Sequence, residues 1–423
     1  MTSVTHSPGR PRTRAARPDE RLARHLFFRV LRGMRHGRLE IVEDDERHAF
    51  GPDPEGSELH VEVRIHDPSF YPSMLLEGTV GVGRAFIEEH WTCDDLGGLI
   101  RLFVRNGATL NTWRSSWAWL TRPLQRAWLW ARRNTMEGSR RNIHEHYDLG
   151  NDFFATFLDP TMMYSAAFYP SAESTLEEAS VAKLHRICRK LDLNPDDRVL
   201  EIGTGWGGFA ILAARDYGCH VTTITISEEQ YAWVVRRVHD EGLEGRVDVR
   251  LCDYREIDGH YDKLVSIEMI EAVGADHLDT FARVCGERLK PDGRMLLQAI
   301  VIDDRVYDAA VRSVDYIKKF VFPGSFIPSL QVIQDAMKRR TDLRLLHVED
   351  FGDHYARTLS DWHDRFEDAA DRIRALGFDD AFLRRWRFYF KYCEGGFAER
   401  RIGVQQIVAG KPLDRRPVVY GRV

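Results

Sequence analysis

Val199-Leu200-Glu201-Ile202-Gly203-Thr204-Gly205-Trp206-Gly207-Gly208 reads as a strand, a tight turn and the start of a helix. Apolar residues lead into the turn, and Phe209 to Ala214 continue at helical spacing. Glycine permits positive φ and carries no Cβ to hold a ligand off the backbone. With the first amides of the helix, such a turn forms a polar cradle at the carboxyl end of a strand. The spacing is G-x-G-x-G, not the dinucleotide fingerprint, and no Gly-Lys-Ser/Thr follows. It favours a nucleoside lying across Gly203, Gly205 and Gly207 over a triphosphate. The plainer alternative is a βα turn that is merely tight.

Outward from this run the pattern is βα repeating. Strands are predicted at 198–202, 220–226, 246–251, 262–267 and 294–302, with helices between them. The predicted fold is α/β, a doubly wound, mostly parallel sheet with helices on both faces. A helical, aromatic-rich insertion is expected at 305–395, followed by a last strand, 402–409, pairing back onto the sheet. Glu394 to Phe397 reads as a tight turn.

At 423 residues the chain is long enough for about two domains. Residues 1–20 read as a disordered basic tail and 21–110 as a small α+β domain. Residues 141–423 then form the large domain. Between them, 111–133 holds five of the ten tryptophans (113, 117, 119, 128 and 130), five interleaved arginines and no acid. Trp favours the lipid–water boundary and Arg is drawn to anionic headgroups. The segment 111–140 therefore reads either as a membrane-interface helix pair or as a linker packed on a neighbouring core.

The formal net charge of −5 gives no basic signal for nucleic acid. No apolar run reaches the ~18 residues of a spanning helix. The six cysteines are scattered without C-x-x-C, so neither a metal site nor a disulfide framework is expected. A cytoplasmic protein, peripheral on the inner face of the membrane, is the expected setting.

Ligands of such sheets bind at the carboxyl ends of the strands. There the sequence places Thr225 and Gln230 after the second strand, where an NAD site would want an acid. Asp253, Tyr254 and Arg255 follow the third, offering a carboxylate and a ring to a purine.

Further segments fit one family. They are His146–Phe154, Leu158–Ser165, Ser266-Ile267-Glu268-Met269-Ile270-Glu271-Ala272-Val273-Gly274, Phe322-Pro323-Gly324, His354-Tyr355 and Tyr392–Phe397. With the glycine turn, in this order, they resemble the cyclopropane-fatty-acid-phospholipid synthases and mycolic-acid methyltransferases, which use S-adenosylmethionine. The resemblance implies a sheet of the class I methyltransferase type, and methyl transfer to a cis double bond of a phospholipid acyl chain. A carbocation forms, and loss of a proton from the transferred methyl closes a cyclopropane ring. It also implies bicarbonate as the proton acceptor and leaves a homodimer open.

Carried over by position, the cofactor meets Tyr164, Ser165, Gly203, Gly205, Gly207, Thr225, Gln230, Asp253, Tyr254 and Arg255. The bicarbonate pocket falls on Glu271, Ile300 and Tyr355. Two positions depart from the family: its cysteine after Tyr-Ser is Ala166 here, and its pocket histidine is Gln298. These departures touch proton removal more than methyl transfer. They keep open a methylene- or methyl-branched product of the ten-methyl type, and a non-catalytic lipid-binding relative. Glu271 is expected either to orient the anion or to act as the base itself. Aromatics of the insertion, Tyr316, Phe320, Phe322, Phe326, Tyr355, Trp362, Trp386, Phe388 and Tyr389, are expected either to wall a dry acyl tunnel or to serve as ordinary core.

Overall fold

The computed structural model describes residues 14–52, 59–107, 127–135, 138 and 149–418. The chain divides into two compact units, residues 1–122 with 384–388, and 123–383 with 389–423. His146, Asp148 and three of the clustered tryptophans, Trp113, Trp117 and Trp119, lie outside the described residues.

The smaller unit carries a four-stranded sheet in the order β2-β1-β3-β4. These strands are β1 (Arg38–Glu43), β2 (Glu46–Phe50), β3 (His60–Ile65) and β4 (Trp91–Cys93). The alternation of His60–Ile65 buries Val61, Val63 and Ile65 on one face. Trp91 is sealed at the centre against Phe70 and Phe86. Phe388, one of the aromatics that could wall the tunnel or serve as core, packs here as core on Trp91 and Phe86.

The larger unit is built on seven strands in the order β10-β11-β9-β8-β5-β6-β7. They are β5 (Arg198–Ile202), β6 (His220–Thr225), β7 (Val247–Leu251), β8 (Tyr261–Ile267), β9 (Leu289–Ile302), β10 (Arg344–Asp350) and β11 (Ile402–Gly410). β5 to β9 pair in parallel, and β11 runs antiparallel to both β9 and β10. Helices cover both faces, so the central strands are apolar on both sides. Leu200, Ile202, Leu264 and Leu297 join one core, while Val199, Val265 and Leu296 join the other.

Two expectations on the insertion need correction. It is not wholly helical, because Arg344–Asp350 is the edge strand β10, paired with β11. Glu394 to Phe397 is no turn; it continues the helix Asp380–Ala398, whose N-terminus Asp379 caps by accepting from the Phe382 amide at 2.7 Å. A glycine pair inside a helix is unfavourable by propensity. Here Phe397 buries its ring against Tyr355, with centroids 4.4 Å apart, and tertiary packing decides the conformation.

Among the described residues no helix is long and apolar enough to cross a membrane. Trp130 is 72% exposed, and Trp128 lies under the Lys319 ammonium at 5.6 Å.

Candidate active site

The glycine turn follows β5 directly. Gly203, Gly205 and Gly207 all have positive φ, at 98°, 51° and 85°. The Gly203 and Thr204 amides donate to the Ile224 carbonyl, which ties the turn to β6. The glycines serve different ends. A Cβ on Gly207 would stand 2.9 Å from Val234, so this position is glycine for packing. Among the described residues a Cβ on Gly205 would meet nothing within 4 Å, which leaves space over it for a ligand.

The neighbouring strand ends supply the polar groups. Thr225 donates its hydroxyl to Gln230 Oε1 at 2.9 Å, and the Ser227 amide donates to Thr225 Oγ1. Ser227 caps the helix Glu228–Asp240 by accepting from the Gln230 amide, which turns the Gln230 side chain back to the strand end. After β7, Asp253 and Arg255 form a two-pronged ion pair with N–O distances of 2.7 Å, and Arg255 lies over the Tyr254 ring. The Thr204 and Tyr254 hydroxyl oxygens are buried with no hydrogen-bond partner among the described residues. Leaving a buried polar atom unmet costs about 1–3 kcal/mol, which a polar ligand recovers. Open space over Gly205, orphaned hydroxyls and neutral polar strand ends fit S-adenosylmethionine.

Beyond β8 the chain turns sharply. Glu268, the first residue past the strand, has φ 49°, a left-handed conformation that is uncommon for a residue with a side chain. Non-glycine residues held there concentrate at functional sites. Its amide donates to the Gln298 carbonyl at 2.8 Å, extending the β8–β9 register in which Ile267 opposes Gln298. The turn lies against the glycine loop, since a Cβ on Gly203 would stand 3.0 Å from Met269.

The Glu268 carboxylate collects three donors. The Ala166 amide and Gln298 Nε2 both donate to Oε1 at 2.8 Å. The Tyr355 hydroxyl donates to Oε2, also at 2.8 Å. Gln298 Nε2 also lies 3.4 Å from the Ala166 carbonyl. Burial raises the Glu268 carboxyl above its ordinary value; the Gln298 and Ala166 donors, the Lys183 charge and the Tyr355 hydroxyl oppose that rise.

Three residues on, Glu271 sits on a short 3-10 turn (Ile270–Ala272). Its Oε1 accepts from the Ile300 amide at 2.5 Å, while Oε2 is buried with no partner among the described residues. Burial pushes this carboxyl up to about 8, and the neighbouring Glu268 charge adds to the rise. The two acids therefore differ in their surroundings: Glu271 has one donor and is pushed up to about 8, whereas Glu268 is gripped by three donors that work against its burial.

The donor end of Gln298 is fixed from behind. Gln298 and Gln406 face each other across β9 and β11. Lys190 can only donate, and its ammonium lies 2.7 Å from Gln406 Oε1. That commits Gln406 to donate to Gln298 Oε1, at 3.0 Å. Gln298 is left with its amide nitrogen toward Glu268. All three side chains are essentially sealed from solvent.

Of the remaining predicted residues, Ser165 accepts from the buried Lys183 at 2.7 Å. Burial drives that ammonium down to about 8 against the opposing charges of Glu268, Asp159 and Glu201. Tyr164 donates to the Tyr389 hydroxyl at 3.1 Å and packs on Trp362, Phe154 and Phe322. Tyr355 meets Trp362 edge-on. Tyr164, Phe322, Tyr355, Trp362 and Tyr389 thus form one aromatic cluster with Tyr355 reaching the carboxylate.

The structure brings Glu271 and Ile300 together as expected, but it pairs Tyr355 with Glu268 instead. Sequence reasoning missed Glu268, although it lies inside the motif Ser266–Gly274, and missed Lys190 and Gln406 entirely. The resemblance puts bicarbonate on Glu271, Ile300 and Tyr355, with Ala166 and Gln298 as altered positions; here the Ile300 amide is taken by Glu271, and the Tyr355 hydroxyl, the Ala166 amide and Gln298 already hold the chain's own Glu268 carboxylate. The donor set therefore does not fit a separate bicarbonate.

Residues 134–407 match the family model described as mycolic acid cyclopropane synthetase. The chain is 34% identical to "Tuberculostearic acid methyltransferase UfaA1" of Mycobacterium tuberculosis, over 94% of this chain and 92% of that protein. It is also 34% identical to the cyclopropane-fatty-acyl-phospholipid synthase of Escherichia coli, over 84% of this chain and 88% of that one. Among solved structures it resembles mycolic acid cyclopropane synthase CmaA1 complexed with SAH and CTAB (28% identical, TM-score 0.60, 64% of this chain and 98% of that chain). The chain belongs to the mycolic acid cyclopropane synthetase family and is an S-adenosylmethionine-dependent methyltransferase.

Proposed function

We propose that this protein adds a one-carbon unit from S-adenosylmethionine to the cis double bond of an unsaturated phospholipid acyl chain, giving a cyclopropane. The reading rests on one observation: a donor-held carboxylate and an aromatic cluster lie beside the open glycine turn. S-adenosylmethionine, when bound, supplies an electrophilic methyl group. Tyr164, Ser165, Gly203, Gly205, Gly207, Thr225, Gln230, Asp253, Tyr254 and Arg255 are the residues assigned to hold it.

An alkene is a weak nucleophile, so the site must orient it and keep water from the cation that follows. Aromatic faces such as those of Tyr164, Tyr355 and Trp362 stabilise a desolvated cation by about 2 kcal/mol each. The exposed Trp130 and the Arg/Trp segment support loading from an anionic membrane surface on the cytoplasmic side.

A second reading, an exocyclic methylene or methyl branch, draws on the altered positions Ala166 and Gln298 and on the relative named for tuberculostearic acid. Mass spectrometry of lipids from cells expressing the chain, fed oleate and methyl-deuterated methionine, tests both. A ring or a methylene keeps two of the three deuterons on the added carbon. A cyclopropane resists catalytic hydrogenation under conditions that saturate a methylene. Three deuterons retained would indicate an intact methyl branch and count against the ring, and no labelled acyl chain would count against lipid as the substrate.

A further inference from the structure

We infer that Glu268 is this enzyme's built-in proton acceptor, its side-chain carboxylate standing where a free carboxylate-like anion would otherwise have to bind. The inference rests on the one-carbon transfer to an alkene proposed above. An ionised carboxylate offers about four acceptor sites. Three are filled here, by the Ala166 amide, Gln298 Nε2 and the Tyr355 hydroxyl. Oε1 takes two of these and Oε2 one, so the free lone pair is on Oε2. The Lys190–Gln406–Gln298 relay holds the amide nitrogen, not the oxygen, toward Oε1. All three groups donate, so each favours the charged form of Glu268, the form a base requires.

Ala166 and Gln298 then have a common reason. With a carboxylate supplied by the chain, neither a polar side chain at 166 nor a titrating group at 298 is needed. The Ala166 backbone amide and a neutral, pre-aimed amide side chain suffice. The φ of 49° at Glu268 swings its side chain back over the Ala166 amide.

The step balances without a further reagent. A C–H bond of the transferred methyl breaks. Its electron pair forms the bond to the cationic carbon: the third side of a ring when the cation is on the neighbouring carbon, or the second bond of a methylene once a 1,2-hydride shift has moved the cation to the carbon that bears the methyl. The proton passes to Oε2 of Glu268. The cation becomes a neutral lipid and the carboxylate a neutral acid, which returns its proton to water when the site reopens.

Two substitutions separate this role from a structural one. Glu268→Gln keeps the volume and removes the basicity. Glu268→Gly removes the side chain at a φ that glycine adopts freely, and opens room for an anion between Ala166, Gln298 and Tyr355. Expected results are a wild-type rate unchanged in carbon-dioxide-depleted buffer and a loss of about 100-fold in both variants. Millimolar bicarbonate should restore Glu268→Gly by tenfold or more and leave Glu268→Gln unrestored. S-adenosylmethionine affinity by calorimetry should stay within a few-fold throughout. Titration with carbon-13-labelled bicarbonate, read by NMR, should show binding to Glu268→Gly and none to the wild type.

A wild-type rate that falls when carbon dioxide is removed, a fully active Glu268→Gln, or bicarbonate bound by the wild type would overturn the inference. The NMR titration reads it even if the lipid assay shows no turnover, an outcome that would instead remove the proposed substrate.

Discussion

Glu271 accepts a hydrogen bond from the Ile300 amide through Oε1 and leaves Oε2 buried and unpartnered among the described residues, three residues after a carboxylate that has three donors. Two acids so close cannot both ionise cheaply, and the one with fewer donors keeps its proton. Glu271 is therefore the neutral member, a carboxyl pushed up to about 8.

That assignment has a stability consequence. The unfolded chain releases the Glu271 proton near its ordinary value of 4.5, and the folded protein only near 8. Across this window the native state holds the extra proton, so the residue's contribution falls as pH rises. Glu271→Gln removes the effect. Its melting temperature relative to wild type should climb between pH 5 and pH 8 and level off above. A difference independent of pH would show that Glu271 titrates normally.

The glycine turn separates binding from packing. Gly205→Ala places a Cβ in open space, at a φ costing roughly 1–2 kcal/mol for a side chain. It should weaken S-adenosylmethionine binding about tenfold or more, since 1.4 kcal/mol corresponds to tenfold. Gly207→Ala adds a 2.9 Å clash with Val234 to a similar φ, and should lower the melting temperature further than Gly205→Ala does. Calorimetric titration and thermal unfolding of both variants check the contrast. Equal effects on both readouts would refute the division.

Gln406 acts through Gln298. In Gln406→Leu nothing fixes the Gln298 amide, and Lys190 keeps only its bond to Glu349. Losing a donor to the ionised form raises a carboxyl pKa. The groups facing Glu268, namely Lys183, Tyr355 and Glu271, are unchanged. The rising limb of the kcat–pH profile should move to higher pH, with kcat falling more than KM rises. An unshifted limb would make Gln406 merely structural.

Tyr355 donates to the oxygen assigned to the proton. Tyr355→Phe removes that one bond and leaves the ring on Phe397 and Trp362. A loss of about tenfold in kcat is expected, as for a hydrogen bond to a charged group worth about 1.5–3 kcal/mol. The check is steady-state kinetics; a change confined to KM would count against it.

The sheet was legible because its signals are local. Val199–Gly208 carries an apolar run and alternate glycines, and the strands from 198 to 302 follow the same βα rhythm. β10 was hidden because Arg344–Asp350 is an edge strand with no fully buried residue and hence no apolar run. In the site, Glu271, Ile300, Gln298 and Tyr355 could be placed by position. Glu268 could not, because its importance comes from a left-handed backbone turn that no side-chain pattern announces. Gln406 acts through a cross-strand register to Gln298, 108 residues away, and Lys190 reaches Gln406 from the helix Leu176–Leu191, 216 residues away. The signal that was present is a second acid in Ser266–Gly274, coinciding with the loss of a polar side chain at Ala166 and of a titrating group at Gln298.

The most direct measurement is a crystal structure of the protein with S-adenosylhomocysteine, grown in the presence of bicarbonate. The account predicts the ligand's sulfur beside the Gly203–Gly207 turn, facing the aromatic cluster, with the Glu268 carboxylate still on Ala166, Gln298 and Tyr355. A ligand seated elsewhere, or a bicarbonate ion on those three donors with Glu268 turned away, would contradict it.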